Sequence, residues 1–384
     1  MLAAPTKQSA GTTTKLCTKT IPHKKVINRN EYAVAATLPL HGEIAITGKQ
    51  VQFGTNLYFD KLKREVSTHS LPLFTYFFLD NNTDAQRART DLQELRKQSP
   101  ALLNLFGTKM IVALEKQMHN GNWASFFPLE GLDELRSQTA GNSIYLRASY
   151  HEELQALINY AVNTLNYRKI ALFYEASDFG DGILTQFKKV LNDYGLVPAA
   201  LGAYPENTVN ISQAITSIIN GAPNAIICAS GARPTYNFIS QMINHGMHRC
   251  AFLGLSPLFA VQKTLQKSRG INIIVSSVVP DPFKSSIPIV KEYQAAMKKY
   301  LSNKTISPVS FEAYINAALF AHAVAQTPAP VTARSVMATL ESYRNLNFKG
   351  IHLAFDPLTR GLSHTVWLNN GENKEWVMAQ QSNQ

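Results

Sequence analysis

The segment at residues 32–63 restricts the possible folds of this chain more than any other part of the sequence. It opens with an apolar run at 32–38, which is too short for a stable helix and is bounded by Pro39, so a buried parallel strand is predicted. From Gly48 onward, apolar or small residues recur at intervals of three and four, which predicts a helix packed on a sheet: Val51, Gly54, Leu57, Tyr58 and Leu62. The loop between them and the free N–H groups of the helix start form an edge that a ligand can approach. An α/β protein without a ligand at this point would contain the same unit.

Short apolar runs and amphipathic segments alternate along the rest of the chain. Strands are predicted at 73–79, 101–106, 125–127, 169–174, 197–201, 224–228, 251–254 and 272–277. Helices are predicted between or after them, at 85–95, 112–118, 151–166, 181–194, 209–219, 234–245, 258–267, 288–301, 309–326 and 331–343. Strands that alternate with helices require parallel sheets, so the predicted fold class is α/β. A terminal hairpin is predicted at 363–378, with Asn370 and Gly371 in its tight turn.

Chain length and composition indicate a globular protein with two lobes. The chain has 384 residues, which exceeds what one hydrophobic core supports, and its 45% hydrophobic content is that of a folded protein. The formal net charge of +11 is large, but Lys and Arg are scattered rather than gathered on one tail or helix face. Nucleic-acid binding is therefore not expected, and the charge fits solubility or a weak attraction to anionic membranes.

The cysteines and the start of the chain indicate neither a disulfide framework nor an export signal. Cys228 ends one predicted strand and Cys250 precedes the next, so the two thiols should lie at opposite ends of a sheet without a bridge, and Cys17 lies in a polar segment. The first residues lack a basic region followed by an apolar core, and residues 1–29 have no periodicity, which predicts a loose tail. Apolar runs long enough to span a membrane do not occur.

Three segments approach enzyme motifs, and each fails at a required position. His151 and Glu152 begin like a zinc-protease helix, but Gln155 stands where the second histidine is needed. Residues 254–258 lack the last glycine of a G-x-S-x-G nucleophile elbow, and residues 178–180 spell a kinase triplet without the other kinase motifs. The ten histidines show no metal-ligand spacing, so neither catalysis nor a cofactor is expected.

Seven short segments, among them residues 38–42 with Gly48 and residues 105–108, carry a resemblance to a known family. In the same order, they resemble motifs of the type I periplasmic solute-binding proteins, the leucine/isoleucine/valine-binding-like family of ABC transporter substrate-binding proteins. Residues 38–42 followed by Gly48 resemble the opening "PLSG…G" element of that family, and residues 105–108 resemble its "lLG..s" ligand loop. The other five segments are 78–85, 146–148, 170–180, 278–280 and 311–314. The resemblance covers about residues 30–380 and rests on the register of all seven motifs, each of which is weak alone.

The resemblance implies two Rossmann-like lobes with parallel sheets, joined by a three-strand hinge in the manner of a Venus flytrap. Residues 1–29 would form a flexible tail, 30–147 with 281–352 the first lobe, and 148–280 with 353–384 the second. The chain would cross between the lobes near 145–148, 278–280 and 350–355. Because family members are exported, the chain is expected to be a periplasmic protein without its signal peptide, and a monomer that meets a membrane permease.

The candidate ligand site follows from the position of the loops. In open α/β sheets, ligands bind outside the carboxyl ends of the strands, so the loops there should face one cleft. The first-lobe candidates are His41, Glu43, Thr47, Gly107, Thr108, Lys109, Leu129 and Glu130, and the second-lobe candidates are Tyr150, Phe179, Ser230, Gly231, Arg233 and Ser256. A ligand that contacts both walls would favour the closed form. His41 and Glu43 could bind the loop instead, and Lys109 and Arg233 could either pair with a ligand carboxylate or remain solvated.

The resemblance also bears on the ligand. In amino-acid-binding relatives a Ser or Thr and backbone N–H groups of the first lobe hold the ligand carboxylate, and Thr108 after Gly107 matches that position. A second-lobe acid holds the ammonium group, but Ser256 stands where one such acid is expected, and Glu152 is more typical of a helix cap. A buried ammonium without a carboxylate partner is costly, so a plain α-amino acid is not expected. Several neighbouring candidates favour an apolar or aromatic ligand: Leu40, Ile44, Ile46, Leu255, Leu258 and Phe259.

Three functions fit these features. The first is a periplasmic solute-binding protein that captures a small molecule by hinge closure and delivers it to a membrane transporter such as an ABC importer. The second is a carrier of a hydrophobic, lipid-like molecule between membrane components, which a large cleft with apolar walls would favour. The third is a ligand sensor that uses the same clamp without transport.

Overall fold

The computed structural model describes residues 31–42, 44–65, 72–99, 101–120, 123–136, 142–271, 273–300, 306–371 and 376–379. Within these ranges strands and helices alternate, and the strands form one large sheet in each of two lobes and one separate two-stranded hairpin. The predicted α/β fold with two parallel-sheet lobes is therefore confirmed. The predicted tail at 1–29, Cys17 and the candidate Glu43 lie outside the described residues.

The first lobe contains a parallel five-stranded sheet. It is built from β1 (Glu31–Leu38), β2 (Leu73–Asp80), β3 (Ala101–Leu103), β4 (Ala124–Phe126) and β5 (Ser143–Ile144), in the order β2–β1–β3–β4–β5. Its connecting helices are α1 (Ala45–Glu65), α2 (Ala85–Leu95), α3 (Thr108–Asn120) and α4 (Asp133–Arg136). The strand predicted at 101–106 ends at Leu103, because Asn104 has a positive φ of 61° and turns the chain out of the extended conformation.

The second lobe contains a seven-stranded sheet. The helices α5 (Tyr150–Asn159), α6 (Asp178–Asp193), α7 (Ser212–Gly221), α8 (Ala232–Asn244) and α9 (Phe259–Arg269) alternate with β6 (Ile170–Ala176), β7 (Ala200–Pro205), β8 (Ala225–Ala229), β9 (Ala251–Gly254) and β10 (Ile274–Ser277). The strand predicted at 197–201 starts three residues later, since Val197 is exposed and the pairing with β6 begins at Ala200. The helix predicted at 151–166 continues past α5 as a π-helical turn, Tyr160–Thr164.

The chain returns to the first lobe through α10 (Pro288–Tyr300), α11 (Pro308–Gln326) and α12 (Ala333–Glu341). Helix α11 is buried along most of its length and packs along α1. The two backbones touch at Gly54, where an added Cβ would lie 2.0 Å from the carbonyl oxygen of Ser310. A residue without a Cβ is therefore what allows this helix pair to pack.

The segment where the third crossing was predicted forms a small hairpin instead. Strands β11 (Leu346–Phe348) and β12 (Ile351–Leu353) pair antiparallel, because Lys349 and Gly350 both have positive φ and reverse the chain. The third strand of the hinge lies further along, at 360–363. There the Leu362 N–H donates to the Tyr145 carbonyl at 2.9 Å and the Ser363 N–H donates to the Leu146 carbonyl at 3.0 Å. The boundaries assigned above to the lobes stay a prediction.

The second sheet is completed by the predicted terminal hairpin. Strands β13 (Trp367–Asn369) and β14 (Val377–Met378) pair antiparallel, β13 adds to β10, and the full order is β14–β13–β10–β9–β8–β6–β7. Gly371 has the positive φ that the predicted turn requires.

A buried arginine attaches the first crossing to the first lobe. The Arg136 guanidinium donates to the carbonyl oxygens of Arg147 (2.9 Å) and Ala148 (3.2 Å), and also to that of Glu130 (2.9 Å). It lies 4.6 Å from the ring centroid of Tyr145, and burial lowers its pKa below the ordinary value. The backbone of residues 145–148 is therefore held on one side by α4 and on the other by the third crossing.

The thiols follow the prediction. Cys228 is buried in β8 and Cys250 is half-buried before β9, and both are free, so the predicted lack of a bridge between them is confirmed. Burial raises the pKa of the Cys250 thiol to about 12. Among the helices that the structure describes, none has the length and apolar character needed to cross a bilayer.

An ion pair at the hinge should make stability depend on pH. His364 Nδ1 lies 2.6 Å from Glu152 Oε1, and the hydrogen bond to Glu152 raises the pKa of His364. A histidine with a raised folded pKa stabilises the fold below its unfolded pKa and loses that contribution as the pH rises through its folded pKa. Between pH ~6 and ~8 we expect the unfolding free energy to fall by about 1 kcal/mol more in the wild type than in His364→Gln.

Urea unfolding at a series of pH values measures this difference. His248→Gln is the matched control, because His248 is exposed and should leave the pH dependence unchanged. Parallel pH profiles for the wild type and His364→Gln would contradict the prediction.

Candidate functional site

The first loop of the candidate site is tied to its neighbour. The Leu40 N–H donates to Asp80 Oδ1 at 2.9 Å, and His41 Nδ1 lies 2.5 Å from Asp80 Oδ2. The His41 side chain is 73% exposed, so of the two roles considered for it the structure supports loop bonding. Thr47 lies in the first turn of α1, where its N–H donates to the Ile44 carbonyl.

Thr108 and Glu130 form a buried polar pair at the first-lobe edge. Thr108 begins α3 after Gly107, whose φ is 96°, and the Thr108 hydroxyl donates to Glu130 Oε2 at 2.6 Å. The other oxygen, Oε1, accepts from the N–H groups of Gly131 (2.7 Å) and Leu132 (2.9 Å). Glu130 is only 1% exposed, so a buried carboxylate of the protein itself lies beside the first residue of α3.

An ion pair bridges the two lobes. Lys109 Nζ, in the first turn of α3, lies 2.9 Å from Glu206 Oε1, which follows β7 of the second lobe. Hydrogen bonding to Glu206 raises the pKa of Lys109, and the charges of Asp178 and Glu175 add to the effect. Both side chains are partly exposed, so a pair of this kind contributes little stability by itself.

Two aromatic residues of the second lobe meet the loop after β4. The rings of Tyr150 and Phe179 are 5.4 Å apart in a T-shaped arrangement, and the Tyr150 N–H donates to the Gly131 carbonyl at 2.7 Å. A Cβ added to Gly131 would lie 2.7 Å from the Tyr150 ring. Leu129, which is buried, bridges to Phe106 in the neighbouring loop. Gly107 to Lys109, Leu129 and Glu130 are thus brought to the same interlobe edge as Tyr150 and Phe179.

A buried charge cluster lies where the first crossing enters the second lobe. Arg147 Nη2 is 2.9 Å from Glu153 Oε1 and 2.7 Å from Ser256 Oγ, and Arg147 Nη1 is 3.5 Å from Glu312 Oε1 of α11. Glu153 Oε2 also accepts from the Ser256 N–H (2.8 Å) and the Ser276 hydroxyl (2.6 Å). Burial raises the pKa of Glu312 despite the opposing charge of Arg147.

Glu153 is a buried acid that was not predicted from the sequence. The helix cap predicted for the preceding residue, Glu152, is confirmed, because Glu152 and Ser149 form a capping box at the start of α5. Glu153 is fully buried and reaches Ser256, so an acid is present at that position but is already paired with Arg147. The helical period was the only signal, because Glu153 and Leu157 lie four residues apart on the buried face.

Three second-lobe candidates lie at the carboxyl end of β8 without contacting the others. The Ser230 hydroxyl is 2.7 Å from that of Thr235, and Gly231 is the N-cap residue of α8. Arg233 is exposed, which supports its alternative as a solvated charge. Within the described ranges, no three His, Cys, Asp or Glu side chains are placed to hold a metal ion.

Comparisons with known proteins agree on one family. The family model described as "Periplasmic binding protein" matches residues 31–370. A possible leucine/isoleucine/valine-binding protein from Rhodopirellula baltica SH 1 is similar in structure, with a TM-score of 0.81, 22% identity, and coverage of 91% of this chain and 97% of the other. A substrate-binding periplasmic protein from Ralstonia solanacearum is also similar in structure, with a TM-score of 0.79, 24% identity, and coverage of 90% of this chain and 99% of the other.

A third structural neighbour carries a different name. It is a fatty acid ABC transporter substrate-binding protein from Thermomonospora curvata, with a TM-score of 0.79, 14% identity and coverage of 92% of both chains. No curated protein sequence matches this chain. At these sequence identities, the structural similarity is evidence for the fold alone.

Proposed function

The chain belongs to the periplasmic binding protein family, and we propose that it captures an apolar or aromatic solute between its lobes and delivers it to an ABC importer. The family assignment agrees with the resemblance seen in the sequence, and the general solute-binding role follows from it. The proposal places the protein in the periplasm and gives it a binding role rather than a catalytic one.

The internal pairing of the polar candidates is the observation that supports this ligand class. Thr108 donates to Glu130, Lys109 pairs with Glu206, and the acid next to Ser256 is paired with Arg147. The groups that would hold a zwitterion are therefore already satisfied by one another. The half-buried Phe179 ring, packed on the buried Tyr150, is the aromatic surface left at this edge, and it suits a ligand with few polar groups.

Glu130 also opposes a ligand carboxylate directly. Beside the start of α3, the carboxylate of Glu130 accepts one hydrogen bond from the Thr108 hydroxyl and two from the N–H groups of Gly131 and Leu132. A second carboxylate there would meet a like charge in a poorly solvated place. A neutral or apolar group facing α3 avoids this repulsion.

The experiment that tests the function is native mass spectrometry of the purified protein, followed by calorimetry with whatever small molecule is retained. We expect a bound apolar or aromatic compound with a stoichiometry of one. Tight binding of leucine or a similar zwitterion would contradict the ligand class. Retention of a phospholipid or fatty acid would favour the lipid carrier instead, and turnover of the compound would contradict the binding role.

Replacing Glu130 with glutamine should change which ligands the cleft accepts. Glu130→Gln keeps the shape and the acceptor oxygen but removes the charge, so the affinity for a carboxylate should rise about tenfold relative to its neutral amide. Calorimetry with 3-phenylpropanoate and 3-phenylpropanamide measures the ratio. Glu134→Gln, an exposed position on α4, is the matched control and should leave the ratio unchanged. An unaltered ratio in Glu130→Gln would refute the role given to this residue.

A further inference from the structure

A groove between α2 and α3 has only cations among the charged side chains that line it. It has a volume of about 500 Å³, and Arg89, Arg96 and Lys116 line it together with the uncharged Gln93, Gln117 and Asn120. No acidic side chain is among its described lining residues. The Arg89 Nε–H donates to the Ala113 carbonyl at 3.1 Å, which fixes this guanidinium across the two helices. We call this feature the cationic groove.

The acids of helix α2 and its ends do not neutralise the cationic groove. Asp84 caps the helix by accepting from the Arg87 N–H, Asp91 accepts from the Thr37 hydroxyl beneath it, and Glu94 pairs with Lys97. Arg96 and Lys116 are exposed. The charged side chains that line the groove are therefore all positive, and the nearest acid of α3, Glu115, lines the neighbouring groove instead. A patch of this kind attracts an anionic partner.

A second, largely apolar groove runs along the other side of α3. It has a volume of about 310 Å³, and its apolar lining comes from Val112 and the buried Ile111, Met118, Leu135 and Tyr145. Its remaining lining residues are Glu115, Lys116, His119, Asn142 and Ser143. Val112 and Lys116, four residues apart on α3, line both grooves and form the ridge between them. Val112 is 38% exposed there. The outer face of α3 thus offers a cationic surface and an apolar surface side by side, separated by about one helix diameter.

We propose that this face of α3 docks an acidic polypeptide segment that also carries an apolar anchor, supplied by the membrane transport protein. The inference rests on the proposed function for the identity of the partner. Arg89 and Arg96 are seven residues apart on one helix, which separates their backbones by roughly 10 Å. That spacing suits several carboxylates along a chain better than a single phosphate group. A partner that made only ionic contacts would leave the second groove empty, so the segment should also carry an apolar side chain that fits there.

The test uses a fluorescein-labelled, 15-residue amphipathic peptide with glutamates on one face and leucine and phenylalanine on the other. Fluorescence anisotropy should show binding to the full chain that weakens with added salt. The triple variant Arg89→Glu/Arg96→Glu/Lys116→Glu should lose affinity by about tenfold or more, since each charge pair is reversed. Val112→Glu, which keeps the three cations, should also weaken binding because it places a charge on the ridge.

The matched control reverses three exposed cations of the second lobe, Arg168→Glu/Lys188→Glu/Arg249→Glu, and so changes the net charge equally. Its affinity should stay within about threefold of the wild type. Equal losses in both triple variants, or no binding of the peptide to the wild type, would overturn the proposal. So would salt-sensitive binding to phosphatidylglycerol vesicles through the groove without peptide binding, which would assign the surface to a lipid.

Solute retention by the same variants separates this proposal from the proposed function. The cationic groove lies on the outside of the first lobe, so native mass spectrometry should show the solute retained in the groove variants. Failure of the wild type to retain any solute would count against the proposed function and leave the peptide result intact.

Discussion

Replacing Arg147 with methionine is expected to lower the unfolding free energy by about 3–5 kcal/mol. Methionine has a similar length but no charge, so Glu153, which is fully buried, would lose its positive partner. The Ser256 and Ser276 hydroxyls would still donate to Glu153, but they cannot neutralise its charge. The loss should exceed that of almost any other polar substitution in this chain, because it leaves an unpaired charge in the interior.

Urea unfolding followed by circular dichroism measures this loss. Arg233→Met is the matched control, since Arg233 is exposed and its replacement should change stability by less than about 0.5 kcal/mol. Adding Glu153→Gln to Arg147→Met should restore more than half of the lost stability, because the charge pair is then removed as a unit. A loss below about 1 kcal/mol in Arg147→Met would show that the cluster is more hydrated than its burial indicates.

Replacing Gly54 with alanine is expected to destabilise the first lobe by about 3 kcal/mol. The added methyl group would lie 2.0 Å from the Ser310 carbonyl oxygen and 2.8 Å from its carbonyl carbon, so backbone on α11 or α1 must move. Alanine favours helices over glycine by about 1 kcal/mol, and the steric cost has to exceed that gain. Since α11 is buried along most of its length, the displaced helix cannot relax into solvent.

Gly182→Ala is the matched control for this substitution. Its methyl group would meet only the end of the flexible Leu132 side chain, at 2.7 Å, and that side chain can turn away. Stability should therefore change by less than about 1 kcal/mol. Thermal and urea unfolding of both variants measure the contrast, and equal effects at the two glycines would show that α1 and α11 are less tightly packed than described.

Periodicity and order were enough to predict the fold but not its connections. The strand and helix predicted at 32–63 match β1 and α1. An apolar run ended by Pro39, followed by apolar residues at intervals of three and four, is compatible with few other secondary structures. The hairpin at Lys349 was not predicted, because a positive φ at lysine has no sequence signature. The crossing at 360–363 was missed for the same reason, since the hairpin delays it.

The candidate site shows where local patterns stop being informative. The loop positions of Thr108, Glu130, Tyr150 and Phe179 could be listed from the strand ends, and the structure brings these four together at one edge. The pairing of Thr108 with Glu130 could not be predicted, because it joins residues 22 positions apart and depends on how two loops pack. Glu153 and Glu152 are adjacent acids at one helix start, and only tertiary packing decides which of them is buried.

The attachment made by Arg136 determines how the molecule can move. This arginine holds the first crossing to α4, residues 362 and 363 are hydrogen-bonded to the same crossing, and Arg147 of that crossing is paired with Glu153 of the second lobe. For the clamp proposed above, we expect opening to be a rotation about a line beside these segments. Loop tips far from that line sweep a long arc for a small turn, which gives the clamp its mechanical leverage.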